Sequence, residues 1–176
     1  MTDNILIAGF GGQGILFAGK ILVYAGMASG KEVSWLPSYG PEMRGGTCNC
    51  SVVISDEPIG SPLVITPDVL IALNTPSLEK FINNVKPGGV VLIDTTMCDA
   101  KVTREDVKVF ALPATEMADT NDLKGGANII LLGKLLGETK ILTEEAFAKA
   151  VEKVVPISKP KLRENDMRAL TLGMQY

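Results

Sequence analysis

A chain of 176 residues, 46% of them hydrophobic and with a net charge of −3, is long enough to bury a sizeable core in one domain. Its longest apolar runs fall far short of the about 20 residues that a membrane span requires, and its Lys and Arg are too scattered for a nucleic-acid surface. Histidine is absent and the three cysteines stand in two places, which excludes a Ser-His-Asp or Cys-His nucleophile, a histidine-containing metal site and a four-thiolate cluster.

Residues 4–9 (NILIAG) form a short apolar run ending in glycine, the pattern of a strand buried on both faces. From Gln13 to Ala28 the residues Ile15, Ala18, Leu22 and Ala25 recur at helical spacing, and Gly30 is placed to cap that helix. Residues 31–36 read as a second strand and 49–55 (NCSVVIS) as a third. Between 56 and 67 three prolines and a glycine mark a turn-rich crossing. A strand at 69–73, a helix at 77–85, a Lys86-Pro87-Gly88-Gly89 turn, a strand at 90–94 and a short strand at 107–112 follow. ANIILLGKLLG (127–137) reads as a buried helix, and Thr143 caps another whose first turn carries Glu144 and Glu145. The segment from about 159 to 176 is helical again, set off by Pro156 and Pro160; it either docks on the sheet or a partner, or hangs as a loose tail. Strands alternating with helices predict a single α/β domain over 1–176, with a doubly wound, mostly parallel, Rossmann-like sheet covered by helices on both faces.

Two loops carry the chemistry. Gly9-Phe10-Gly11-Gly12-Gln13-Gly14 sets a G-x-G-x-x-G between strand and helix, where backbone amides and the helix N-terminus invite a phosphate; the plain alternative is a tight turn with no ligand. A nicotinamide-binding fold also needs an acid at the end of the second strand, but this strand ends in Trp35-Leu36-Pro37. A free-standing dehydrogenase is therefore demoted. The second loop, SWLPSYGPEMRGGT, holds Arg44 between Pro41 and Gly45-Gly46, an arrangement for offering a charged fork to a phosphate or carboxylate.

IAGFGGQGI at 7–15, WLPSYGPEMRGG at 35–46 and KGGAN at 124–128 together resemble the γ subunit of the 2-oxoacid:ferredoxin oxidoreductases, over most of the chain. The form PSYGPEMRGGT is most similar to the 2-oxoglutarate and branched-chain (2-oxoisovalerate) types. The resemblance implies a division of labour. Partner α and β subunits would bind thiamine diphosphate and magnesium, iron–sulfur clusters would reside in the β and δ subunits, and ferredoxin would take the electrons. This chain would contribute to coenzyme A binding and would be inactive alone. On that reading Gly11, Gly12, Gln13 and Gly14 offer backbone and amide donors, Arg44 a charged fork, Gly45 and Gly46 close backbone approach, and Ser38 and Tyr39 hydroxyls. Two other readings of Arg44 stay open: an internal pair with Glu42 or a main-chain carbonyl, and an intersubunit contact. A coenzyme A-sensing or nucleotide-binding regulatory module shares the same loops and differs only in its partners.

The remaining features read as bland. Cys48 and Cys50 are expected as small buried hydrophobes, and no catalytic or metal-binding residue is assigned. Glu164 and Asp166 read as a solvated helix face. Few cysteines without a disulfide pattern, and a start (MTDNILIAGF) with no basic region, point to a reducing cytoplasm.

Overall fold

The computed structural model describes residues 1–38 and 47–176. Its centre is β1 (Thr2–Phe10), in which Ile5, Leu6, Ile7 and Ala8 are all buried because both faces of the strand are covered. On one side β1 pairs in parallel with β4 (Val69–Ala72), which pairs with β5 (Val90–Asp94) and then β6 (Lys108–Leu112). On the other side it pairs antiparallel with β3 (Thr47–Ser55), and β3 pairs antiparallel with the edge strand β2 (Glu32–Ser38). The order is β2-β3-β1-β4-β5-β6, and β3 alone runs against the other five. Pro37 is tolerated because β2 lies at the edge, where a missing N–H breaks no ladder.

The helices are α1 (Ile15–Ala28), α2 (Thr75–Phe81), α3 (Ala114–Thr120), α4 (Ala127–Thr139), α5 (Glu144–Val154) and α6 (Pro160–Gln175). Strand residues alternate between two cores. Ile5, Ile7, Ile54, Ile71 and Leu92 meet α1, α3, α4, α5 and α6, whereas Leu6, Val53, Leu70, Val91 and Ile93 face α2 and the segment after β5. Each fully buried Ile or Leu here stabilises by about 1.5–3 kcal/mol. Helices thus cover both faces, but unevenly: α2 is alone on its side, helped by a 3₁₀ turn (Ile82–Asn84) and by Cys98, Val102 and Val107.

Helix boundaries follow local chemistry. The end of α1 closes with Lys31 N–H on the Gly26 carbonyl and Gly30 N–H on that of Met27, with Gly30 left-handed at φ 71°. Thr143 Oγ1 accepts from Ala146 N at 3.1 Å to start α5, and Asn74 Oδ1 accepts from Ser77 N at 2.9 Å to start α2. That cap lies at Asn74, so α2 begins at Thr75 and gives way to the 3₁₀ turn over the last part of the expected 77–85 helix.

α6 packs along α4. A Cβ at Gly133 would lie 2.1 Å from the Leu170 carbonyl oxygen, and one at Gly173 would lie 1.9 Å from that of Ile130. Two glycines, one per helix, let the backbones cross nearly in contact. The C-terminal segment is therefore a core helix of this chain and not a loose tail.

A candidate anion-binding cleft at the carboxyl edge of the sheet

The loop from β1 into α1 stands at the carboxyl edge of the parallel strands, where the chain turns from β1 to neighbours on opposite sides. Open α/β sheets bind ligands at such a reversal. Gly12 (φ 97°) and Gly14 (φ 74°) both occupy the positive-φ region. Gly14 is the N-cap of α1 and brings no side chain to satisfy the first-turn amides, so the helix start keeps its donors and partial positive charge for a ligand.

The loop is held from within. Phe10 N donates to Gln13 Oε1 at 2.6 Å, Asn74 Nδ2 donates to the same oxygen at 3.1 Å, and Gln13 Nε2 donates to the Leu73 carbonyl at 2.9 Å. The Gln13 amide thus clamps the loop to the end of β4. Asn128, in the first turn of α4, fixes the other side: its Nδ2 donates to the Gly14 carbonyl at 3.0 Å and its Oδ1 accepts from Ile129 N at 2.9 Å. A Cβ on Gly14 would fall 2.4 Å from Asn128 Nδ2, whereas one on Gly12 meets nothing within 4 Å. Gly14 is required by contact and conformation, Gly12 by conformation with open space beside it.

Two clefts flank this loop. One, of about 240 Å³, is lined by Gly12 and Gly14, by Lys124 and Gly126 before α4, and by Asn165 and Asp166 of α6. The other, of about 200 Å³, lies on the Leu73, Met97 and Thr115 side. Asp166 is the residue that sequence reasoning missed. It is 4% exposed, its Oδ2 has no hydrogen-bond partner, and burial pushes its carboxyl up to about 6. It shares the buried stripe of α6 with Ala169, Leu170 and Gly173, so a carboxylate on an apolar helical period was the available signal. Asp94 is equally buried but fully engaged, accepting from Thr115 Oγ1 (2.5 Å), Thr115 N (3.2 Å) and Thr96 N (3.1 Å), which ties β5 to α3.

Ser38 is exposed at the end of β2, and the register pairs Phe10 with Thr47 and Ser38 with Asn49. The two ends that bracket residues 39–46 therefore lie at the same sheet edge as the glycine loop. Tyr39, Arg44, Gly45 and Gly46 themselves lie outside the described residues. β3 separates β2 from β1, so the end of β2 is not beside the glycine loop as a ribose-gripping acid would have to be. Cys48, Cys50 and Cys98 are buried free thiols, and burial pushes Cys50 up to about 12, which keeps it an unreactive thiol. Among the described residues no cluster of acids and cysteines is arranged to hold a metal ion, and no helix is long and apolar enough to cross a membrane.

The α/β fold with its glycine loop at the sheet's reversal point has clear counterparts. The pyruvate ferredoxin/flavodoxin oxidoreductase family model matches residues 4–176, and the chain belongs to that family. It is 44% identical over 175 residues to the ketoisovalerate oxidoreductase subunit VorA of Methanothermobacter thermautotrophicus, with 98% of this chain and 36% of that relative aligned. It spans, then, about a third of that protein's length. It is also 42% identical over 159 residues to the 2-oxoglutarate synthase subunit KorC of Methanocaldococcus jannaschii, covering 89% of this chain and 85% of the relative. Among solved structures, the keto/oxoacid ferredoxin oxidoreductase gamma subunit of Geobacter sulfurreducens superposes with a TM-score of 0.86 at 30% identity, over 99% of this chain and 95% of that one.

Proposed function

We propose that this chain is the γ subunit of a thiamine diphosphate-dependent 2-oxoacid:ferredoxin oxidoreductase and supplies part of its coenzyme A site. The observation that carries the reading is the shared edge: the uncapped start of α1 and the two strand ends bracketing the arginine loop lie toward one side of the sheet. The relatives with which this unit aligns are named as subunits of a ketoisovalerate oxidoreductase and a 2-oxoglutarate synthase, so a branched-chain 2-oxoacid or 2-oxoglutarate is the proposed substrate.

On this reading the chain binds and orients rather than reacts. The amides of Gly11, Gly12 and Gly14 and the first turn of α1 receive phosphate oxygens, Gln13 holds the loop in the receiving shape, and Arg44 adds a charged fork. Ser38, Tyr39, Gly45 and Gly46 are the remaining proposed contacts. Thiamine diphosphate, magnesium and iron–sulfur clusters belong to α, β and δ partners, ferredoxin is met through them, and the complex works in the cytoplasm.

Arg44→Ala in the assembled enzyme is expected to raise the KM for coenzyme A or substrate by a factor corresponding to about 1.5–3 kcal/mol, as for a hydrogen bond to a charged group. Unchanged kinetics in a normally assembled complex would remove Arg44 from the site. Gly12→Val is expected to abolish phosphate binding while the chain still folds, since its side chain enters open space and only the loop is strained.

A further inference from the structure

The cleft between the glycine loop and α6 carries two opposite kinds of recognition. At one end are the uncapped start of α1 and the ammonium of Lys124, which favour an anion. At the other is the buried, unpartnered carboxylate of Asp166 beside the half-buried Asn165. A buried carboxylate without a partner costs stability and is kept where something else supplies its donors. A metal ion is a poor candidate for that role: the nearby positive helix end and Lys124 repel it, and among the described residues Asp166 is the only carboxylate lining this cleft. Neutral donors, hydroxyl or amino groups, suit it better.

We propose that this cleft is a nucleotide pocket, with phosphates on the Gly12–Gly14 loop and Lys124 and with a ribose hydroxyl or base amino group donating to Asp166. At about 240 Å³ it is smaller than pockets that enclose a whole drug-sized molecule, and so fits one end of an extended ligand. The assignment rests on the coenzyme A reading above and adds to it an orientation: the adenosine half lies toward α6. Asp166 is a binding residue and takes no part in the chemistry.

The test uses the native complex containing this chain, with ADP, adenosine and inorganic pyrophosphate as separate probes in calorimetric titrations. Asp166→Asn is expected to weaken ADP and adenosine about tenfold, the loss of one charge-assisted hydrogen bond, and to leave pyrophosphate unchanged. Lys124→Ala is expected to weaken ADP and pyrophosphate severalfold and to leave adenosine unchanged. An ADP affinity untouched by Asp166→Asn, or one that falls together with pyrophosphate, overturns the assignment. Coenzyme A dependence of 2-oxoacid oxidation, read on the same preparation, separates the two ideas. Its absence contradicts the oxidoreductase reading even where the ADP pattern holds, and its presence with an indifferent Asp166 contradicts the pocket alone.

Discussion

At the scale of single residues, Asp166 and Gln13 decide the most. Asp166 is harder to ionise in the folded chain, where burial pushes its carboxyl from the ordinary 3.8 up to about 6. The native state then holds the proton more tightly than the unfolded one, so the contribution to stability is complete below about pH 4 and is lost as pH rises through about 6. Asp166→Asn is expected to unfold at higher urea than the parent chain at pH 8, by on the order of 2 kcal/mol, and to converge with it near pH 4. Parallel pH profiles for the two proteins would show that the carboxylate is satisfied in solution. For Gln13, replacement by Ala strands the Phe10 amide and the Leu73 carbonyl and is expected to cost about 1–3 kcal/mol, with faster hydrogen exchange at Phe10 as the local readout. These two residues also mark where sequence reading stops. The glycine spacing located the loop, yet Gln13 looked like a donor for a ligand because nothing local says that Leu73 lies within reach. Asp166 looked like part of a charged helix face, RENDMR, until Ala169, Leu170 and Gly173 placed it on the buried side.

At the scale of elements, the parts with strong periodicity were readable and the parts set by distant contacts were not. β1, β4 and β5 each contain an uninterrupted apolar run, and α1 and α5 carry both a stripe and an identifiable end. The short helix α3 has Pro113 at its N-cap and no side-chain cap, so its anchor is the tertiary bond from Thr115 to Asp94, which no local pattern announces. The contact between α4 and α6 is likewise invisible until Gly133 and Gly173 face each other's backbones. Gly173→Ala is expected to push these helices apart and cost about 3 kcal/mol in urea denaturation, because its Cβ would lie 1.9 Å from a backbone carbonyl oxygen that cannot swing aside. Gly60→Ala, whose Cβ meets nothing within 4 Å, is the matched control and is expected to stay within about 0.5 kcal/mol of the parent. Equal losses in the two variants would mean that the helix crossing is looser than its geometry.

At the scale of the whole molecule, alternation of strands and helices gave the α/β class, but strand direction leaves no trace in composition. The reversed β3 was therefore unreadable, and with it the separation of β2 from β1 that argues structurally against a nicotinamide site. The sequence holds no histidine, and among the described residues the cysteines are buried and α1 starts at a glycine without a side-chain cap. On the proposed reading, such a chain holds a ligand for groups carried by its partner subunits. The most direct measurement is acceptor reduction by the native particle that contains this chain, isolated gently from its own cells and assayed with branched-chain 2-oxoacids and 2-oxoglutarate, with and without coenzyme A. Reduction that requires one of these 2-oxoacids and coenzyme A, by a brown particle with larger companion subunits, is the expected result. A colourless assembly of this chain alone, with no 2-oxoacid-dependent reduction, would contradict it.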